Sequence, residues 1–220
     1  MRRLLALVAL LALAGCGSSN DKKATKTAPS PVALRGCHRA AAPRPRPDGE
    51  LDRPPLKIDR SARWTATLRT NCGTIRMSLD VREQPKTVAS FVFLARRGFF
   101  DNLTFHRIAQ QPDGSDFVVQ GGDPTGTGQG GPGYKTVDKP PKGTKYTLGV
   151  VAMAKTGNEK AGTAGSQFFV VTGNDAGLPP DYAVLGKVVS GLDVVKRVGQ
   201  LGDSSEQPTF TVVIKKATVG

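Results

Sequence analysis

Eight short apolar runs separated by turn-forming residues, with only two stretches of helical period among them, constrain this 220-residue chain more than any other feature. The runs occupy 64–70, 74–79, 103–107, 117–121, 148–153, 167–171, 183–189 and 211–217. Asn71, Cys72 and Gly73 are a turn signal between the first two, which read as a β-hairpin. The period then changes. Pro85 suits a first helical position, Val88, Phe91, Val92 and Ala95 recur at i, i+3, i+4 and i+7, and Gly98 stands where a C-terminal cap belongs. Phe91 and Phe93 of this amphipathic helix are expected in the core, and a second, short helix is expected over 192–198. Many short strands with two helices indicate a mainly-β fold, a closed antiparallel barrel whose open ends the helices cap. No internal repeat is evident.

Within that pattern one segment carries unusual chemistry, 105–123, FHRIAQQPDGSDFVVQGGD. Arg107, flanked by Phe105 and Ile108, is a charged side chain in strand-like surroundings, where it needs a partner or a task. One alternative is an ion pair with Asp101, Asp116 or Asp123. Phe117, Val118 and Gln120 return on the next run, and Gln167, Phe168 and Phe169 lie on a third. Such segments suit an apolar pocket with a few convergent polar groups.

The segments FHR, QGGDPTGTGQGGPGY and GSQFFVVT resemble the signatures of the cyclophilin family of peptidyl-prolyl cis/trans isomerases, in family order, across about 61–219. The resemblance implies an eight-stranded closed antiparallel barrel capped by two helices. It implies Arg107 and Gln120 as catalytic residues, and Phe117, Val118, Phe169, Leu178, Tyr182 and Ala154 as the substrate-binding pocket. No cofactor is expected. The chain departs from the family pattern in four places. Residues 108–116 separate Arg107 from Phe117 where relatives have fewer, and this insertion is expected as a loop beside the pocket. Tyr182 stands where many relatives have His, Lys155 where many have Asn, and Gly177 where many have Trp.

The first sixty residues lie outside the resemblance. Arg2 and Arg3 precede an apolar run, 4–14, too short to span a bilayer, so 1–15 reads as a signal peptide. Leu13-Ala14-Gly15-Cys16 resembles a bacterial lipobox, which implies Cys16 as the lipidation site, the alternative being an ordinary secretory signal with a chance Cys; two acyl chains hold a protein stably on a membrane. From 17 to 60 the chain is rich in Ser, Pro, Ala, Lys and Arg without apolar period. It is expected as a flexible tether, its 44 residues reaching about 40 Å as a coil. The domains are thus 1–15 signal peptide, 16–60 lipidated Cys and tether, and 61–219 isomerase domain, exported and anchored at the extracytoplasmic face. Free thiols are unusual in exported proteins, and Cys37 and Cys72 are left either as one disulfide or as two thiols.

Composition narrows the partners. The net charge is +13, but Arg2 and Arg3 supply two charges and 17–60 holds ten Lys/Arg against five Asp/Glu, which leaves +6 for 61–220. No basic run interleaved with aromatics appears there, so no nucleic acid is expected. The expected partners are proline-containing segments of exported proteins and, through the anchor, the membrane; the chain is expected as a monomer. Gly126, Gly128 and Gly131 satisfy a G-x-G-x-x-G spacing, but no helix can begin at Gly131-Pro132-Gly133 and no βαβ unit surrounds it. A Ser-His-Asp hydrolase would have only His106 in the domain, which strand alternation points away from Arg107. One His and one Cys in the domain are too few for an ordinary zinc site. Two functions remain: a prolyl isomerase acting on exported proteins, and a non-catalytic proline-peptide-binding or holdase module on the same fold.

Overall fold

In a computed structural model, which describes residues 34–49 and 51–220, the hairpin of β1 (Thr65–Thr70) and β2 (Gly73–Leu79) turns through Asn71 and Cys72. Alternation is clean in β2, where Ile75, Met77 and Leu79 are buried between exposed Thr74, Arg76 and Ser78. Helix α1 (Pro85–Arg96) follows, with Pro at its start and Gly98 at φ +68 just beyond its end. Then come β3 (Leu103–Gln110), β4 (Asp116–Gly121), β5 (Thr136–Val137), β6 (Val150–Met153), β7 (Thr163–Ala164), β8 (Phe168–Val171), β9 (Val184–Ser190), α2 (Leu192–Gly199) and β10 (Val213–Val219).

Eight of these strands close into an antiparallel barrel in the order β1-β10-β3-β4-β8-β6-β9-β2, and the two helices pack on it, as expected. The side chain of Phe91 leaves α1 for the barrel interior, stacking on Phe100 at 4.7 Å and meeting Phe168 edge-on at 6.2 Å. Phe93 is only partly buried, with the Arg97 guanidinium 4.6 Å above its ring. The sheet of β5 and β7 has no counterpart in the sequence pattern, because two-residue strands carry no period to read.

The wall β3-β4-β8-β6 is apolar on both faces. Ile108, Val119, Val151, Met153, Phe168 and Val170 face the main core. Their chain neighbours Ala109, Val118, Val150, Ala152, Phe169 and Val171 form a second cluster on the other face. This is why 150–153 and 168–171 are continuous apolar runs. The insertion also differs from expectation. Instead of a loop from 108 to 116, β3 continues to Gln110, with Ile108 opposite Val119 and Ala109 opposite Val118, and the turn is confined to 111–115.

Of the first sixty residues, the signal peptide, the lipobox and Cys16 lie outside the described residues. The described part of the expected tether is held against the barrel. Cys37 is disulfide-bonded to Cys72, and His38 N donates to Asn71 O at 2.8 Å. Arg46 bonds Phe99 O with its side chain and Pro124 O with its N–H. A Pro-rich stretch has no apolar face to bury, but its backbone groups and Arg side chains can still bind another backbone. Among the described residues no helix is long and apolar enough to cross a membrane.

Candidate active site

The second apolar cluster opens as a pocket of about 180 Å³ on the outer face of the wall. Arg107, Phe117, Val118, Gln120, Ala154, Phe169, Leu178 and Tyr182 all line it, together with Lys155. Phe117 belongs to this lining because the lengthened hairpin leaves it at the start of β4. A smaller cavity of about 110 Å³ adjoins, sharing Gln120, Ala154 and Lys155.

A β-bulge aims the focal residue. Phe105 pairs with Gly121, yet Arg107 pairs with Gln120, one residue short of regular register. Phe105 and Ile108 both face the main core, so two residues, His106 and Arg107, stand between successive inward positions. Strict alternation, which would have separated these two, therefore fails here. Bulges re-aim side chains in this way beside functional sites.

Arg107 does have an acidic partner, and it is none of the three expected. Asp101 bonds Lys216 and the N–H of Ala217, Asp116 pairs with Gln110 in the ladder, and Asp123 caps its own loop. The partner is Glu206, 99 residues downstream in the loop after α2, with Arg107 Nε donating to Oε2 at 2.5 Å and NH2 to Oε1 at 3.1 Å. The two side chains are 34% and 43% exposed. Arg107 NH1 donates to Gln120 Oε1 at 3.1 Å, and Gln120 Nε2 to Gln167 Oε1 at 2.9 Å. Gln167 Nε2 ends the chain on Gly128 O and Gly130 O, each at 2.9 Å. Three of the five guanidinium N–H groups are thus used and two remain for a ligand. Glu206 had no sequence signal except its place in a loop, where it adopts φ +61.

The glycine-rich loop after β4 holds no helix, as the dinucleotide motif would need. Asp123 organises it. Burial works to raise its pKa, but hydrogen bonds from Thr125, Gly130 and Gly128 outweigh this and hold the carboxyl below its ordinary range. His106 lies beneath the loop, and burial pushes its pKa down against the pull of the Asp123 charge. Ser166 Oγ donates to Gly122 O at 2.7 Å, so it is not paired with His106 as a nucleophile would be. Among the described residues no group of His, Cys, Asp or Glu could hold a metal ion.

The lip of the pocket is fixed by a residue with no expected role. Tyr146 is fully buried; its hydroxyl donates to Tyr182 O at 2.6 Å and accepts the N–H of Tyr182 at 2.9 Å. Burial pushes its pKa up to about 12. Phe169, Tyr146 and Tyr182 meet with ring centroids 5.5 to 6.3 Å apart, and Lys155 Nζ lies 5.4 Å from the Tyr182 ring.

A closed barrel bearing an outer apolar pocket, with a cation held by Glu206 and Gln120 and an amide at its edge, is built to hold a small apolar group beside fixed hydrogen-bond donors. Residues 65–219 match the family described as cyclophilin type peptidyl-prolyl cis-trans isomerase/CLD, and the chain belongs to that family. It is 38% identical over 158 residues to the peptidyl-prolyl cis-trans isomerase CYP18-2 of Arabidopsis thaliana, covering 70% of this chain and 92% of that one. It is 37% identical over 174 residues to the peptidyl-prolyl cis-trans isomerase A of Mycobacterium tuberculosis, covering 70% and 91%. Among solved structures it is similar to a cyclophilin type peptidyl-prolyl cis-trans isomerase of Cryptosporidium parvum, with TM-score 0.65 and 30% identity over 72% of this chain and 98% of that one. A second structure of the Cryptosporidium protein, solved in the presence of the dipeptide Ala-Pro, matches with TM-score 0.63 and 29% identity over 71% and 98%. The enzyme is a peptidyl-prolyl cis-trans isomerase.

Proposed function

We propose that the chain is exported, anchored at the outer face of the cytoplasmic membrane through lipidated Cys16, and there accelerates prolyl isomerisation in exported proteins. The pocket of Phe117, Val118, Ala154, Phe169, Leu178 and Tyr182 takes the proline ring, Arg107 addresses the prolyl nitrogen, and Gln120 holds a flanking carbonyl. A prolyl bond rotates slowly because lone-pair delocalisation gives it double-bond character, with a barrier of about 18 to 20 kcal/mol. Uncatalysed exchange takes about 10 to 100 s, and reaching milliseconds needs about 10⁴-fold, or about 5.5 kcal/mol. A donor at the nitrogen stabilises the localised lone pair, which exists only in the twisted transition state. The observation that carries this assignment is the placement of Arg107, whose plane is fixed by Glu206 and Gln120 while two N–H groups stay available at the pocket edge. Each charge-assisted bond contributes about 1.5 to 3 kcal/mol. Pocket contacts and the second N–H of Gln120 Nε2 supply the remainder.

Export is supported by the Arg2-Arg3 start, the apolar run and the Leu13-Ala14-Gly15-Cys16 sequence. The Cys37–Cys72 disulfide suits an oxidising compartment. Two measurements test the proposal. Protease-free NMR exchange on an Ala-Pro peptide should show acceleration; binding without acceleration would make the pocket a non-catalytic module. Fractionation should find wild type with membranes and Cys16→Ala released or mislocalised, and a variant still membrane-bound would remove the anchor from the account.

A further inference from the structure

The family match begins at residue 65, and the chain before it makes its own contacts with the loop bordering the site. Gly49 N donates to Gly131 O at 2.9 Å and Leu51 N to Pro132 O at 3.0 Å. Asp48 Oδ1 accepts the N–H of Gly131 at 3.1 Å. The approach is close: a Cβ on Gly49 would stand 3.0 Å from Gly131 O and the Pro132 backbone. The Cys37–Cys72 disulfide ties this strap to the barrel further back.

The same loop decides which way two glutamines face. A primary amide has two donors at one end and an acceptor at the other. Gly128 O and Gly130 O take both N–H groups of Gln167, so its Oε1 is turned to Gln120. Gln120 must answer with its Nε2, which turns its own Oε1 to Arg107. Were Gln167 to flip, Gln120 would flip with it and set N–H against N–H at the guanidinium. The backbone that fixes this polarity is glycine-rich, with Gly128 at φ +85, and such backbone is costly to hold in one conformation.

We propose that Asp48 and Gly49 are positioning residues of the isomerase site. The strap they form holds the backbone at Gly131 and Pro132, and thereby the loop carbonyls that orient Gln167, Gln120 and the acceptor offered to Arg107. Neither residue touches substrate. The proposal rests on the roles given above to Arg107 and Gln120.

The test uses the full chain with its disulfide intact. Asp48→Ala removes one acceptor; Gly49→Val pushes the strap off the loop. Each is made in wild type and in Gln167→Ala, reading the side-chain amide NMR signals of Gln120 and Gln167, the kcat/KM on an Ala-Pro peptide, and the thermal midpoint. Both variants should move the amide signals and lower kcat/KM about 3- to 10-fold. Neither should lower it further once Gln167 is Ala, because the path is already cut. Amide signals that stay in place, or losses that multiply in the Gln167→Ala background, overturn the bracing. Signals that move while kcat/KM holds overturn the catalytic role of Gln120 and the proposal with it. Should Gly49→Val unfold the chain, the exposed Asp48→Ala change still decides.

Discussion

Replacing Arg107 by Ala separates transition-state stabilisation from structure more sharply than any other change. The folded state would lose two bonds to Glu206 and one to Gln120. With the pair 34% and 43% exposed, water replaces much of what is lost, so the stability cost is at most about 1 kcal/mol. For a chain of this size that lowers the midpoint by about 2 to 4 °C. The transition state loses a charge-assisted donor at the prolyl nitrogen, worth about 1.5 to 3 kcal/mol, which predicts a fall in kcat/KM of about 10- to 200-fold. Lys should restore little, because one ammonium cannot serve Glu206, Gln120 and the substrate from a planar fork. Glu206→Ala leaves the Arg107 charge but frees its plane. Since a partly exposed charge is screened by water, lost orientation outweighs gained potential, and kcat/KM should fall about 3- to 10-fold. The assay is protease-free exchange by NMR on an Ala-Pro peptide, with circular dichroism for folding. A loss under about threefold for Arg107→Ala, or full activity in Arg107→Lys, would refute the reasoning.

Phe169→Ala should weaken peptide binding and turnover together and, because Phe169 is 4% exposed between Tyr146 and Tyr182, cost about 3 kcal/mol in urea unfolding. Retained affinity in titration calorimetry would move the proline elsewhere. The Cys37–Cys72 bond spans 35 residues, so Cys37→Ala should lower unfolding free energy by about 3 to 4 kcal/mol, and unchanged denaturant midpoints would contradict this. Burial depresses the pKa of His106, so the unfolded chain binds its proton first as pH falls. Stability from this residue is complete above about pH 6.5 and declines below it, and His106→Phe should flatten that decline in pH-resolved melting; an identical slope in both proteins would exclude His106 as its source.

The elements legible beforehand are those whose periods report burial. The β1–β2 hairpin alternates because one face is wet, and α1 shows its stripe because one face meets the barrel. The pocket residues were legible as separate segments because they recur in family order, and they converge on one cavity. What could not be read lacks any period. Glu206 reaches Arg107 across 99 residues from a loop, and the bulge at His106 depends on how β3 meets β4, which no local pattern states. The strap has no sequence signal because backbone hydrogen bonds hold it, and a Pro-rich polar stretch looks the same free or bound. At Gly177 the backbone sits at φ +63, a conformation that disfavours a large side chain and that no local sequence pattern announces.

The two-faced wall bears on how this chain can misassemble. A strand with one wet face resists a one-residue slip because slipping would put its apolar set in water. Along β6 and β8 that safeguard is missing, since a slip only trades one apolar set for another, as in the run Phe168-Phe169-Val170-Val171. Alignment must come from fixed points at the strand ends. One is visible: Ser166 Oγ is bonded to Gly122 O, and Gly122 lies so near Ser166 O that no Cβ fits between them. Damage at this latch would produce a chain that still collapses and still hides its oily residues, yet assembles its wall out of phase and presents no groove to substrate. Such a product would pass a test of compactness and fail only a test of turnover.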